Sequence, residues 1–75
     1  MHRELDARYL LCPMPVIRVQ STVAGLAPGD VLDVRATDPG ALHDIPAWCR
    51  VHGHEVLETM AADGEVRIIL RVRGA

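Results

Sequence analysis

The sequence has no phenylalanine and no lysine, only two cysteines among 75 residues, and no apolar run near the length of a membrane span. Each shortage excludes something. A helix needs roughly 18 consecutive apolar residues to cross a bilayer, and Met1-His2-Arg3-Glu4 opens without the apolar stretch of a signal peptide. The expectation is a soluble, cytoplasmic protein with no membrane partner. Two cysteines are too few for the disulfide framework of a small secreted protein, and in the cytoplasm both are expected as free thiols. Trp48 and Tyr9 are the whole aromatic complement, which leaves no platform for stacking nucleic-acid bases. All eight basic residues are arginine, most simply through the codon usage of a GC-rich genome. Against ten acidic residues they leave a net charge of −2, so no overall field draws the chain to nucleic acid and no direct nucleic-acid binding is expected.

What is present points to one folded domain over residues 1–75. The chain is 49% apolar and 24% charged, a balance of globular rather than disordered proteins. A chain this short buries only about 60% of the surface its unfolded form exposes, so its core is thin. No cofactor domain fits beside a substrate domain, and neither a cofactor nor a large enclosed active site is expected. Repeats, low-complexity tracts and linkers are all missing.

Proline and glycine divide the chain into short elements. Leu5-Asp6-Ala7 alternates as a short strand. Residues 13 to 25 read as a helix, with Val16, Val19, Val23 and Leu26 on one side and Arg18, Ser21 and Thr22 on the other, stopped by Gly25. Val31 to Thr37 alternates again, with Leu32, Val34 and Ala36 opposite Asp33 and Arg35. Asp38-Pro39-Gly40 suits a helical turn, and Asp44 is expected to cap a helix that carries Pro46 in its first turn and ends at Gly53. Residues 54–61 and 65–72 read as a hairpin through Asp63-Gly64. Its second strand sets Val66, Ile68, Leu70 and Val72 inward and Arg67 and Arg71 outward, whereas its first strand declares no face. The order β-α-β-α-β-β, with one charged sheet face, predicts an α/β (α+β) two-layer sandwich: a four-stranded mixed sheet with both helices on one face.

The most unusual segment is Leu11-Cys12-Pro13-Met14-Pro15-Val16. Two prolines one residue apart would break a helix interior, but a first turn tolerates both, because its N–H groups lack partners anyway. They therefore place a helix start directly after Cys12. A thiol at the positive end of a helix is expected to have a lowered pKa and a reactive thiolate, held outward on the stiff base of Pro13 and Pro15. A lone cysteine in this position reads more readily as a small apolar residue closing a strand–helix junction; the proline bracket reverses that and favours reactivity. No Ser/His/Asp order stands out around it. A thiol activated by a helix end needs no base, and it can accept and donate sulfur by exchange without any pocket. The second thiol, Cys49 beside Trp48, has two readings: a resolving partner for Cys12, or a helix cysteine packed on the sheet. Cys49, His52 and His54 offer too few ligands for a tetrahedral metal site, and no metal is expected. Arg67, Arg71 and Arg73 form a modest basic stripe, read as a solvated sheet face or, alternatively, as a docking surface.

Leu5-Asp6-Ala7, Leu10, Cys12-Pro13-Met14-Pro15-Val16, Asp38-Pro39 and Asp44-Ile45-Pro46 together resemble the TusA (SirA-like) sulfur-carrier proteins, over nearly the whole chain. The resemblance implies a two-layer α/β domain with a persulfide carried on Cys12 and with Pro13 and Pro15 as its presenting frame. It implies a cysteine desulfurase or rhodanese-type enzyme as sulfur donor and a relay protein as acceptor. The destinations it implies are tRNA thiolation, molybdenum-cofactor chemistry or sulfur oxidation. A carrier of this kind is expected to be a persulfide shuttle with sulfurtransferase-like chemistry more than an enzyme in its own right. A reversible Cys12–Cys49 disulfide in a redox-regulated binding module is the rival expectation. Two departures stand out: Tyr9 occupies a position where such sequences usually have glycine, which predicts a loop before Cys12 that differs in shape or in partner, and Arg18 is nearly alone on a helix that is usually more basic.

Overall fold

A computed structural model describes residues 1–73; Gly74 and Ala75, part of the domain expected over 1–75, lie outside the described residues. Six elements follow in the order read from the sequence: β1 (His2–Ala7), α1 (Met14–Val23), β2 (Val31–Ala36), α2 (Ala41–His52), β3 (Glu55–Ala62) and β4 (Glu65–Arg71). The strands form one mixed sheet in the order β1-β2-β4-β3, parallel between β1 and β2 and antiparallel elsewhere.

The alternating strands meet helices of matching period on one face. Leu32, Val34 and Ala36 of β2 and Val66, Ile68 and Leu70 of β4 are buried against two helical stripes, each spaced by four residues: Pro15, Val19, Val23 from α1 and Ala41, Ile45, Cys49 from α2. Residues four apart stack along one side of a helix, so each stripe seals one strip of the sheet. Both helices therefore lie on the same layer, as expected. Pro15 belongs to the core as well as to the first turn, whereas Val16 is only partly buried.

Two element starts and the course of one strand differ notably from the sequence reading. β1 begins at His2 rather than Leu5, because pairing with β2 (His2 beside Val31) extends a stretch whose polar side chains show no alternation. Val31 N–H donates to the Met1 carbonyl at 2.8 Å and the N-terminal ammonium reaches Asp30 Oδ1 at 3.0 Å, which anchors this end. α2 is capped at Gly40 and begins at Ala41, not after a cap at Asp44. The Asp38 carboxylate accepts from Gly40 N–H at 2.9 Å and its carbonyl from Ala41 N–H at 3.0 Å, so the chain turns helical four residues earlier. Asp44 consequently lies within the first turn instead of capping it, and Pro46 is inside the helix, where its missing N–H forfeits a bond to the Leu42 carbonyl. In β3 the register advances two residues, Val56 to Glu58, against one in β4, Leu70 to Ile69. Leu57 is the extra residue of a bulge, and from it onward every residue of β3 is exposed, so the strand had no buried face to show in the sequence.

The opposite face of the sheet is charged, and several of its charges are paired. Asp33 is 2% exposed although it points away from the helices, because Arg67 covers it: Arg67 Nε donates to Asp33 Oδ1 at 2.9 Å and its terminal nitrogen also pairs with the carboxylate. Arg71 and Arg73 both reach Glu55, at 3.2 and 3.0 Å. The expected basic stripe is thus neutralised locally. Hydrogen bonds from Arg67 hold the Asp33 carboxyl below its ordinary range. A depressed carboxyl pKa adds stability at pH above the unfolded value and loses it as the pH falls through the folded one. Denaturation midpoints should therefore drop as the pH is lowered below about 5. Asp33→Asn should flatten that dependence and cost about 1–2 kcal/mol at neutral pH, an amount limited by the exposure of Arg67.

Candidate functional site

Because β1 and β2 run parallel, the loops that follow them leave the same edge of the sheet, and open α/β sheets place their sites at such edges. The first loop carries Cys12 and the second carries Asp38. The two are tied together: Cys12 N–H donates to Asp38 Oδ2 at 2.7 Å while Asp38 Oδ1 takes Gly40 N–H. Upstream, Asp6 receives Arg8 through both backbone N–H, 3.0 Å, and guanidinium, 2.9 Å, and Tyr9 N–H donates to Thr37 Oγ1 at 2.8 Å. The Arg8 bonds hold the Asp6 carboxyl down at about 2. Met14 N–H then closes on the Leu11 carbonyl at 2.8 Å, and α1 starts with Pro13 as its N-cap.

The loop leaves the thiol exposed, as the proline bracket predicted. Cys12 is exposed, and around it the apolar side chains of Tyr9 and Leu11 are 83% and 77% exposed, with Met14 and Ile17 of α1 partly so. Its electrostatics are the reverse of the expectation. The end of α1 is not what the sulfur faces; the sulfur lies against the start of α2, where Cys12 Sγ donates to Asp44 Oδ2 at 3.3 Å, with Asp38 beside it. Hydrogen bonding to the Asp38 and Asp44 carboxylates, with their negative charge, favours the protonated form and pushes the thiol up to about 12. At rest Cys12 is a thiol, not a thiolate. Gly40 completes the niche from below, where a Cβ would sit 3.2 Å from Sγ and 3.3 Å from Asp38 Oδ1. Asp38, Gly40 and Asp44 were visible in the sequence only as turn and cap residues. The signal that could have joined them to Cys12 was the parallel pairing of the first two strands, which brings their trailing loops together.

Tyr9 has φ 66°, in the left-handed region that favours glycine. The loop keeps the glycine conformation while carrying a side chain, at a local cost of about 1–2 kcal/mol for an L-residue. Since the ring is exposed, no burial offsets this. Tyr9→Gly is expected to raise unfolding free energy by roughly 0.5–1 kcal/mol, less than the full strain because glycine has more conformational entropy to lose, as measured by urea denaturation.

Cys49 is fully buried, and burial pushes its thiol up to about 11. It lies five residues beyond Asp44 on α2, about 7.5 Å along the helix axis, on the stripe that faces the sheet. His52 and His54 flank the Trp48 ring at centroid distances of 4.8 and 5.1 Å, and His54 Nδ1 accepts from Arg73 N–H at 3.1 Å. Among the described residues no group of His, Cys, Asp and Glu is arranged to hold a metal ion, and no helix is long and apolar enough to cross a membrane.

Comparison with known proteins gives the same frame. The sulfur carrier protein TusA of Allochromatium vinosum is 36% identical over 92% of this chain and 91% of its own length. The putative sulfur carrier protein YrkF of Bacillus subtilis is 41% identical over 93% of this chain, which spans only 38% of YrkF. The crystal structure of a SirA-like protein from Desulfitobacterium hafniense superposes with a TM-score of 0.83 over 95% of this chain and 97% of that one; at 23% identity it shows the shared fold. The family described as sulfurtransferase TusA matches residues 3–72, and with these relatives it settles the lineage: the chain belongs to the TusA family.

Proposed function

We propose that the protein is a sulfur carrier that holds a persulfide on Cys12 and relays sulfane sulfur from a cysteine desulfurase or rhodanese-type donor to an acceptor protein. The observation that carries this reading is a single exposed thiol on a loop tied to Asp38, with exposed apolar side chains on the same loop and the start of α1. An enzyme encloses its reacting atoms; a carrier must insert its own into another protein's site, and Tyr9, Leu11, Met14 and Ile17 supply apolar area for such docking. In the exchange, the Cys12 sulfur attacks the outer sulfur of the donor's persulfide, the donor S–S bond breaks, and its electron pair leaves on the donor thiolate. An acceptor thiolate then takes the outer sulfur from Cys12 in the same way. The destinations that fit this chemistry are tRNA thiolation, molybdenum-cofactor assembly and sulfur oxidation, and the reducing cytoplasm suits two free cysteines.

Intact-mass analysis after incubation with a cysteine desulfurase and cysteine, or with a rhodanese and thiosulfate, tests the proposal. A gain of one sulfur atom, removed by reductant and retained in Cys49→Ser, is the expected result. No adduct from either donor would exclude the carrier. Loss of the response in Cys49→Ser would favour instead a disulfide switch, which the burial of Cys49 opposes.

A further inference from the structure

Asp38 and Asp44 flank the same sulfur but are differently engaged. Both oxygens of Asp38 accept backbone N–H groups, from Cys12 and Gly40, so that carboxylate builds the loop as well as facing the sulfur. Asp44 has one hydrogen-bond partner among the described residues, the Cys12 thiol. A thiol is a donor and closes well on a carboxylate. A hydropersulfide is a stronger acid than its parent thiol; as an anion it has no proton to give and carries the same charge as Asp44. The carboxylate that attracts one state of Cys12 therefore repels the other. Gly40 closes one side of the niche, since even a Cβ there would lie 3.2 Å from the sulfur. A side chain lengthened by one sulfur is turned away from Gly40, toward the exposed side of Cys12.

Resting on the carrier reading, we propose that Asp44 senses the loading state of Cys12, drawing the empty thiol inward and turning the loaded hydropersulfide anion outward, where an acceptor thiol meets its outer sulfur. On loading, the Cys12 proton passes to Asp44 as the new S–S bond forms, and from Asp44 to the departing donor thiolate. The outer S–H of Cys12 then ionises to water. Sulfane sulfur changes hands at constant oxidation level, so no oxidant or reductant is consumed. Sulfur delivery gains a direction: the site grips Cys12 when it is empty and releases it when it is charged.

The test uses Cys49→Ala protein, so that Cys12 is the one thiol, with Asp44→Asn and Asp44→Glu compared. Cys12 is loaded with inorganic polysulfide, which requires no donor enzyme. Two rates are read: alkylation of the empty thiol by iodoacetamide across pH, and release of the outer sulfur from the loaded form to glutathione. The charged groups facing Cys12 are Asp38 from the loop before α2 and Asp44 from α2; the first turn of α1 has none. In Asp44→Asn the empty thiol should alkylate about tenfold faster at neutral pH, with the profile displaced to lower pH. Release of the loaded sulfur should slow several-fold, because the amide N–H donates to the anion and retains it. Asp44→Glu should stay near the parent in both. Changes of opposite sign are not what a loosened fold produces. An Asp44→Asn alkylation profile that matches the parent overturns the proposal by itself, and so do two rates that move in the same direction. If a desulfurase fails to load Cys12 while the polysulfide-loaded protein behaves as described, the carrier reading falls and the role of Asp44 stands. If the enzyme loads it and Asp44→Asn changes nothing, the reverse holds.

Discussion

Cys12→Ser is expected to abolish sulfur acceptance while leaving the fold intact. A serine hydroxyl is a far weaker nucleophile than a thiol toward a sulfur atom and forms no stable adduct with it, so the gain of one sulfur from any donor should fall to background. The loss cannot be attributed to misfolding. The Cys12 side chain is exposed, its backbone bond to Asp38 does not depend on the side chain, and a serine O–H can donate to Asp44 where the S–H did. Thermal unfolding should therefore shift by no more than the roughly 0.5 kcal/mol usual for surface substitutions. Mass spectrometry and a melting curve on one preparation check both halves. A serine variant that still gains reductant-labile sulfur would move the carrier site elsewhere, and Cys49, wholly buried, offers no alternative without unfolding.

Ile45→Ala should produce the largest loss of stability, about 2–5 kcal/mol in urea denaturation. Ile45 has no exposed surface and sits at the middle of the α2 stripe between Ala41 and Cys49, against the sheet. The cavity left by its deleted atoms cannot be filled by alanine and cysteine neighbours, both smaller than the residue removed. Small domains have total stabilities near the lower part of the 5–15 kcal/mol range, so this one change removes a large share. It also has a functional signature, since Ile45 follows Asp44 directly. A variant that still folds at low temperature should show an altered Cys12 alkylation profile, because the α2 turn that sets Asp44 against the thiol rests on Ile45.

The elements most legible in the sequence were those whose pattern is enforced by burial on one side. The alternation of β4 and the stripe of α1 follow from a single apolar face meeting a single core, and the hairpin follows from Asp63-Gly64, both of which adopt positive φ. What the sequence hid came from pairing and from long-range polar contacts. His2 to Glu4 became strand through the neighbouring backbone. Leu57 shifted the phase of β3. Asp38 moved the start of α2 by binding a backbone amide two residues on. The site was legible in its centre, Cys12, and misleading in its electrostatics. A helix terminus read locally promises a thiolate, but the carboxylates come from residues 26 and 32 positions away, and no local pattern announces them. Tyr9 was the opposite case: an irregularity in the sequence turned out to be a strained residue at the site itself.

The burial of Pro15 bears on whether the reactive loop can be transplanted. Pro13 and Met14 belong to the surface, but Pro15 is as fully enclosed as Leu32 or Ile45 and begins the stripe that continues through Val19 and Val23. The second proline is therefore the keel of the loop. A graft of Leu11 to Met14 onto another scaffold would carry the sulfur without the ballast that orients it. A peptide of the same sequence would have the nucleophile and none of its aim. Engineering a minimal carrier from this chain means keeping the receptacle for Pro15, and with it most of the helical layer.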